Sequence, residues 1–308
     1  MPIRIPNDLP ATKTLTDENI FVMTETRAMT QNIRPLQVLL LNLMPTKIET
    51  ETQLARLLGN TPLQIELELM QTANHEAKNV SPEHMLKFYT TFEHVRDRYF
   101  DGMVITGAPV EKLDFEEVDY WDELCEIMEW TKTHVHSTFH ICWGAQAALY
   151  YHYGIPKYLL PEKISGVFPH TVERRSSMLV RGFDDIFLAP HSRYTGVRRE
   201  DVEQCRKLRI LASSEEAGVY IMMTDGGRRV FITGHSEYNF DTLQKEYLRD
   251  KGQGINPKVP KNYFPNDDDT QTPPNSWRAH ANLLYHNWLN YYVYQSTPYD
   301  ITTIEPMK

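Results

Sequence analysis

The sequence predicts an α/β fold, in which a doubly wound, mostly parallel sheet carries helices on both faces. Three observations predict it. Short apolar segments alternate with segments of helical periodicity through the first half of the chain. The first strong strand candidate, residues 36–43, is apolar almost throughout, as expected of a central parallel strand that is covered on both faces. Pro and Gly residues lie where these segments begin and end.

The elements of the first half follow in the order strand, helix, strand, helix, strand, helix. The predicted segments are a strand at 36–43, a helix at 47–58 closed by Gly59, a strand at 63–69, a helix from about Ser81, a strand at 102–106 and a helix from about 118 to 132. Ser81 precedes a proline, which gives that helix a cap and a suitable first residue. Since the strands are expected to be parallel, ligands should gather at their carboxyl ends.

The second half has shorter elements and a long loop. Strands are predicted at 208–211, 218–223 and 229–233, a late helix at about 276–294, and a loop rich in Pro, Gly, Asn and Asp at 252–274. The Asp267–Asp269 run in that loop is interpreted as solvated, with a metal or interaction role as the alternative. We divide the chain into an extended N-terminal arm, 1–33, and a single α/β domain, 34–308.

Composition excludes several classes of protein. The 308 residues hold 32 Lys and Arg against 41 Asp and Glu, a formal charge of −9, which argues against a nucleic-acid binder. No apolar run approaches the roughly 20 residues that a membrane span needs. The N-terminus lacks the features of a secretory signal, so we expect a cytoplasmic protein. In that compartment the three cysteines are expected to be free thiols.

Residues 137–150 give the strongest indication of chemistry. A short strand leads directly into a segment rich in Ala and Leu, with Cys142 at the junction, as in a nucleophile elbow. The helix N-terminus would lower the thiol pKa, and the amide of Trp143 would be available to an oxyanion. Gly144 would let strand and helix approach closely. Because His140 stands where many elbows have Gly, the match is partial, and a buried structural thiol is the alternative.

A second candidate group follows the predicted strand at 229–233. His235 and Glu237 are separated by one residue, which places both side chains on the same side of an extended segment. A histidine can then act as a base while the carboxylate orients its ring. With a thiol in reach, the three residues would form a Cys-His-Glu triad. A histidine with a purely structural role is the alternative.

A metal site is a competing hypothesis at His134 and His136, with His140 nearby, because His-x-His on a strand can present two imidazoles to one ion. No His-Glu-x-x-His or paired Cys-x-x-Cys motif accompanies them. Packing or hydrogen-bonding histidines are therefore the favoured interpretation, and no metal is expected.

Four segments together resemble the bacterial homoserine O-acyltransferases of methionine biosynthesis, and the resemblance covers essentially the whole chain. They are Leu-Asn-Leu-Met-Pro-Thr-Lys at 41–47, Val-Ile-Thr-Gly-Ala-Pro-Val-Glu at 104–111, the Cys142 elbow and Gly-His-Ser-Glu at 234–237. The resemblance implies a fold similar to class I glutamine amidotransferases and the triad Cys142, His235, Glu237. It implies no cofactor beyond an acyl-CoA co-substrate, small-molecule substrates only, and a possible homodimer.

The resemblance also implies that Lys163, Ser192 and Arg249 bind homoserine. Arg249 suits a carboxylate because its planar guanidinium can donate hydrogen bonds to both carboxylate oxygens at once. Without the resemblance, the Lys and the Arg would be taken as solvated charges and Ser192 as a turn cap. Lys47 follows a strand and is a candidate contact to the acyl donor or the oxyanion, although a solvent-exposed lysine at a helix start is nearly as well supported.

Glu111 is the predicted determinant of the acyl group. In the family that this chain resembles, a glycine after Thr-Gly-Ala-Pro-Val accompanies succinyl donors and a glutamate accompanies acetyl donors. The prediction is therefore a homoserine O-acetyltransferase that works through a Cys142 thioester, with succinyl transfer as the nearest alternative. Glu111 as a solvated loop residue or a helix-start acid, or as a group that binds the homoserine ammonium, stays open. A glutaminase or gamma-glutamyl hydrolase and a non-catalytic binding protein are the other function classes.

Overall fold

A computed structural model describes residues 3–6, 8–18, 22–23, 34–73 and 79–307. The strands are β1 Ile3–Arg4, β2 Val22–Met23, β3 Leu36–Leu41, β4 Ile65–Met70, β5 Tyr89–Thr90, β6 Phe100–Ile105, β7 Val135–Ile141, β8 Tyr158–Val172, β9 Ile186–Gly196, β10 Leu208–Ser214, β11 Gly218–Thr224 and β12 Arg229–Ile232. The α-helices are α1 Pro10–Asp17, α2 Lys47–Gly59, α3 Pro82–Phe88, α4 Phe92–Val95, α5 Trp121–His134, α6 Trp143–Tyr153, α7 Arg199–Gln204, α8 Thr242–Gly252 and α9 Arg278–Asn287. A π-helical segment, Trp288–Tyr294, continues α9.

The described strands form one sheet in the order β2-β1-β4-β3-β6-β7-β12-β11-β10-β8-β9, with β5 paired to β4. Neighbours from β2 through β12 pair in parallel. From β12 to β9 the pairing is antiparallel. The predicted parallel α/β sheet is confirmed for the first half, and an antiparallel extension follows it.

Helices cover both faces of the sheet, as predicted. Successive residues of β3 enter opposite cores: Val38 and Leu40 pack with α1, α2 and α9, whereas Leu39 and Leu41 pack with α5 and α6. This alternation follows from the period of two along a strand. It explains why residues 36–43 are apolar almost throughout, since both faces of β3 are buried.

Several predicted bounds shift slightly in the structure. The strand expected at 63–69 is β4, Ile65–Met70, and the helix expected from 118 is α5, which begins at Trp121. The predicted cap at Ser81 is confirmed, because its hydroxyl accepts a hydrogen bond from the His84 amide at 3.2 Å. None of the helices in the described part of the chain combines the length and the apolarity that crossing a membrane requires.

Two regions differ from the sequence-based expectation. Within the arm that was predicted to be extended, Pro10–Asp17 is helical and buries Ala11 and Leu15, and Ile3 pairs with Ile65 one strand in from the sheet edge. The hairpin of β8 and β9 was not predicted. The first eight residues of its long first strand are exposed or half-buried, and the strand contains two prolines and a glycine, so it lacks the apolar pattern on which the other predictions relied.

Candidate active site

Cys142 lies between the end of β7 and the first residue of α6. Its backbone has a φ of 49° and a ψ of −115°, a conformation that non-glycine residues rarely adopt. The Cys142 amide donates to the Ile232 carbonyl at 2.7 Å, and the Cys142 carbonyl accepts from the Ala145 and Gln146 amides at 3.1 Å. These bonds fix a sharp turn that places the thiol at the helix N-terminus. The elbow geometry expected from the sequence is therefore present.

Strand β12 lies beside β7 in the sheet and leads into the loop that carries the other two residues of the predicted triad, His235 and Glu237. The His235 amide donates to the Pro190 carbonyl at 2.9 Å, which anchors the loop after the strand. The Nδ1 of His235 is 2.6 Å from Oε1 of Glu237, and both side chains are buried. A hydrogen bond joins His235 to Cys142. The structure thus brings together the three residues of the predicted triad.

The charges of this group affect one another strongly because the group is buried. Burial alone would lower the pKa of His235, but the negative charges of Cys142 and Glu237 and the hydrogen bonds to both outweigh it. The pKa of His235 is consequently raised well above its usual range. This arrangement favours a protonated His235 beside the Cys142 sulfur, a pairing suited to a cysteine nucleophile.

Two glycines allow the elements around Cys142 to approach each other. A Cβ at Gly144 would lie 2.4 Å from the Thr106 carbonyl oxygen, so only glycine fits where α6 meets the end of β6. A Cβ at Gly107 would lie 3.2 Å from the Cβ of Cys142 and 3.6 Å from Cε1 of His235. The loop after β6 therefore runs directly over the triad.

A cavity of about 530 Å³ opens above Cys142 and His235. It lies at the carboxyl ends of the parallel strands, where ligands were expected. The residues around it come from α2, the loop after β6, β8, β9 and α8; those predicted as site residues are Glu111, Cys142, Lys163, Ser192, His235, Glu237 and Arg249.

The three residues assigned to homoserine lie close together on one wall. Lys163 Nζ is 3.2 Å from Asp250 Oδ2, and Arg249 donates to Asp250 Oδ1 from Nε at 2.9 Å and from Nη2 at 2.7 Å. The hydroxyl of Ser192 donates to Oε2 of Glu246. The wall therefore combines two cations with the Glu246 carboxylate, while Asp250, which does not line the cavity, pairs with both cations. This pattern suits a ligand that carries both charges.

Glu246, Asp250 and Tyr238 were missed by the sequence analysis. Tyr238 stacks on the His235 ring at a centroid distance of 4.2 Å and donates from its hydroxyl to Oε1 of Glu246 at 2.8 Å. A signal for Glu246 existed: it stands three residues before Arg249 in a helix, so the two share a face.

Glu111 lines the cavity, and its side chain is anchored. Its Oε2 accepts from the backbone amides of Tyr194 at 2.8 Å and Thr195 at 3.2 Å. The position is half-buried, so the interpretation of Glu111 as a freely solvated loop residue is wrong. The structure places this carboxylate in the same cavity as the Cys142 thiol.

Lys47 is buried at the start of α2 and does not line the cavity, although Pro45 and Thr46 do. Its ammonium donates to the Asn42 carbonyl. Burial lowers the Lys47 pKa to about 8, and the charge of Glu51 opposes that effect. The alternative of a solvent-exposed lysine at the helix start is therefore wrong.

The histidines of the competing metal hypothesis have separate surroundings. His136 Nε2 is 2.9 Å from the Ser296 hydroxyl, His140 Nδ1 is 3.0 Å from the Val230 carbonyl, and His134 stacks on Tyr99. In the described ranges, no group of three or more His, Cys, Asp or Glu side chains is arranged to hold an ion.

Comparison with known proteins shows the family of this chain. Residues 2–299 match the model of the homoserine O-succinyltransferase family. A protein of Acetivibrio thermocellus named homoserine O-acetyltransferase is 61% identical over 99% of this chain and 100% of its own length. Proteins of the same name from Geobacillus kaustophilus and Clostridium acetobutylicum are 61% and 58% identical, over 97% and 98% of this chain and 99% and 100% of their own lengths.

The fold is similar to that of a glutamine amidotransferase from Thermotoga maritima. The TM-score is 0.53 at 13% sequence identity, and the match covers 83% of this chain and 98% of that one. The expected likeness to the glutamine amidotransferase fold is confirmed.

Proposed function

The chain belongs to the homoserine O-succinyltransferase family, and on that premise we propose that it transfers an acetyl group from acetyl-CoA to the hydroxyl of L-homoserine. The description of the family names succinyl, whereas relatives at about 60% identity are named for acetyl. The geometry of the site therefore has to explain which acyl group is transferred. The observation that carries the proposal is the anchored Glu111 carboxylate in the cavity of Cys142.

The charge of Glu111 explains the preference. A succinyl group ends in a carboxylate, and two like charges about 4 Å apart repel by about 4 kcal/mol at an effective dielectric constant near 20. An acetyl group ends in an uncharged methyl and meets no such repulsion. Because the Tyr194 and Thr195 amides hold Oε2 of Glu111, the side chain cannot turn away without losing two hydrogen bonds.

In the first half of the proposed reaction, the Cys142 thiolate attacks the thioester carbonyl of acetyl-CoA. The amide of Trp143, at the N-terminus of α6, is our candidate donor to the oxyanion. The carbon–sulfur bond to coenzyme A then breaks, and the departing thiolate takes the proton from the His235 imidazolium. Acetyl is left as a thioester on Cys142, with a neutral His235 beside it.

In the second half, neutral His235 takes the proton of the homoserine hydroxyl. The oxygen attacks the thioester, the bond to Cys142 breaks, and O-acetylhomoserine leaves while the imidazolium–thiolate pair forms again. We assign the homoserine carboxylate to Arg249 and Lys163, and its ammonium to Glu246. Acetyl-CoA is a co-substrate, and the proposed steps need no further cofactor.

Mass spectrometry of the intact protein tests the reaction class. Mixing the protein with acetyl-CoA and no homoserine should add one acetyl group, and Cys142→Ala should add none. Release of ammonia from glutamine, with no acetyl adduct, would favour a glutaminase instead.

A competition between acetyl-CoA and succinyl-CoA in one sample tests the acyl group. The wild type should produce O-acetylhomoserine, and Glu111→Gly should shift the product toward O-succinylhomoserine. A succinyl preference in the wild type would show that Glu111 does not select the donor.

A further inference from the structure

Glu111 is held from two sides by hydrogen bonds that no step of the proposed reaction uses. On the side-chain side, Oε2 accepts from the amides of Tyr194 and Thr195. On the backbone side, the Glu111 carbonyl accepts from the ammonium of Lys157 at 2.9 Å, and the same ammonium donates to the Leu113 carbonyl at 2.5 Å. The loop and the carboxylate are therefore fixed independently.

The side-chain contacts depend in turn on Gln146, which is fully buried in α6. The Thr195 hydroxyl donates to Gln146 Oε1 at 2.8 Å, and Gln146 Nε2 donates to the Thr195 carbonyl at 3.2 Å. Burying a side-chain amide costs free energy unless both its oxygen and its nitrogen are hydrogen-bonded. In Gln146 both atoms bond to the same residue, Thr195. Gln146 consequently fixes the backbone of Thr195.

The Thr195 hydroxyl lies 3.1 Å from Glu111 Oε2 as well, but it has a single proton to donate. Gln146 Oε1 is the nearer acceptor. The carboxylate is thus held chiefly by two backbone amides, whose positions are set by Gln146 and by Arg193 Nη1, which donates to the Thr195 carbonyl at 2.6 Å.

Gln146 stands four residues after Cys142 in the chain, about one helical turn along α6. The nucleophile and the carboxylate beside the acyl group are therefore tied to one rigid helix. A carboxylate fixed in this way cannot swing aside to admit the end of a longer, charged acyl group.

We propose that Gln146, Thr195 and Lys157 are positioning residues that set the acyl-donor preference by holding Glu111 in place. This inference rests on the proposed function, because it explains how Glu111 selects the donor. None of the three residues touches the reacting atoms in the proposed steps.

The test measures kcat/KM for acetyl-CoA and for succinyl-CoA on the same enzyme samples. Lys157→Met and Gln146→Met remove the hydrogen bonds at nearly constant length. Each should lower the ratio of acetyl to succinyl kcat/KM by about 10-fold, the effect expected from releasing a charge-assisted or buried hydrogen bond. A general loss of structure would lower both values and leave the ratio unchanged.

The control is Arg209→Met. Arg209 also donates to two backbone carbonyls, those of Arg206 and Leu208, but it does not line the cavity. Its replacement should leave the ratio as in the wild type. If Gln146→Met does not fold, Lys157→Met carries the test, because Lys157 is only half-buried and lies outside α6.

A second pair of variants separates positioning from a simple charge effect. If the Lys157 charge merely screened Glu111, removing it would strengthen the repulsion and raise the ratio. In the Glu111→Gly background, Lys157→Met should leave the ratio unchanged, because no carboxylate is left to position. A raised ratio, an unchanged ratio in the single variants, or an equal fall in both backgrounds would overturn the inference.

The wild-type measurement distinguishes a failure of the proposed function from a failure of the positioning role. A wild type that fails to use acetyl-CoA would contradict the proposed function. A wild type that prefers acetyl-CoA, with a ratio that neither Gln146→Met nor Lys157→Met changes, would contradict the positioning role alone.

Discussion

The backbone of Cys142 is held where a side chain is disfavoured, and the strain has a chemical consequence. A non-glycine residue in such a conformation costs on the order of 1–3 kcal/mol. The hydrogen bond from its amide to Ile232 and those that its carbonyl accepts from Ala145 and Gln146 hold it there. The result is a thiol that interacts with His235 at the positive end of α6.

Replacing Glu237 should change the pH dependence of the first half-reaction. In the proposed step the His235 imidazolium donates a proton to the leaving thiolate, so the alkaline limb of kcat/KM for acetyl-CoA reports deprotonation of His235. That limb should lie above the usual histidine range, because the thiolate and Glu237 raise the His235 pKa. Glu237→Gln removes one of these charges, so the limb should move to lower pH.

A pH profile of kcat/KM checks this prediction. Glu49→Gln is the matched control, since Glu49 also lines the cavity but pairs with Lys245. Its alkaline limb should coincide with that of the wild type. His235→Ala should lose roughly 10²–10⁴-fold in rate. An alkaline limb that stays in place in Glu237→Gln would contradict the pairing.

At the scale of elements, the residues of the site follow the ends of three neighbouring parallel strands. β6 ends in the loop that carries Gly107 and Glu111, β7 ends at Cys142, and β12 leads to His235. Close contact of these ends depends on Gly144, where α6 packs on the Thr106 carbonyl.

Gly144→Ala should therefore disturb the elbow as well as the fold. Its Cβ would meet the Thr106 oxygen at 2.4 Å, and overpacking of this kind costs about 1–3 kcal/mol. The melting temperature should fall, and acyl-enzyme formation should fall further as Cys142 is displaced. Gly252→Ala, where nothing lies within 4 Å of the added atom, is the control. Equal melting temperatures and rates for the two variants would refute the close approach.

The parts of the site that could be predicted from the sequence are those that lie within short, continuous segments. The cysteine at a strand-to-helix junction and the His-x-Glu pair after a strand lie in continuous segments, so their geometry follows from short-range rules. The contacts of Lys163 with Glu246 and Asp250 join residues far apart in the chain. Such contacts leave no local periodicity. The anchoring of Glu111 by Tyr194 was hidden for the same reason.

At the scale of the whole molecule, the two cores on either side of the sheet enclose histidines as well as apolar side chains. Burial lowers the pKa of His136 to about 4 and that of both His140 and His170 to about 3. Burial lowers the pKa of His191 well below its usual value, and the nearby His170, Arg193 and His235 add to the effect. All four are neutral in the folded protein at neutral pH.

These histidines should make the fold sensitive to acid. Their folded pKa values lie below the unfolded value of 6.5, so the unfolded chain binds more protons and stability falls as pH falls below 6.5. Each contributes a loss of about 1.4 kcal/mol per pH unit, and His136, His140 and His170 together about 6 kcal/mol by about pH 5. That is comparable with the total stability of about 5–15 kcal/mol typical of a folded protein. His235 does not add to the loss, because its folded pKa is raised and its stabilising effect is lost only at higher pH.

His136→Gln tests this account. The amide can keep the contact to the Ser296 hydroxyl that His136 makes at 2.9 Å, but it does not titrate. Between about pH 6.5 and pH 4, the free energy of unfolding of the variant should fall less steeply than that of the wild type, by about 1.4 kcal/mol per pH unit. Denaturant unfolding followed by tryptophan fluorescence at several pH values measures both slopes. The exposed His94 provides the control variant His94→Gln, whose slope should match the wild type. Equal slopes for His136→Gln and the wild type would mean that His136 is not held neutral by the fold.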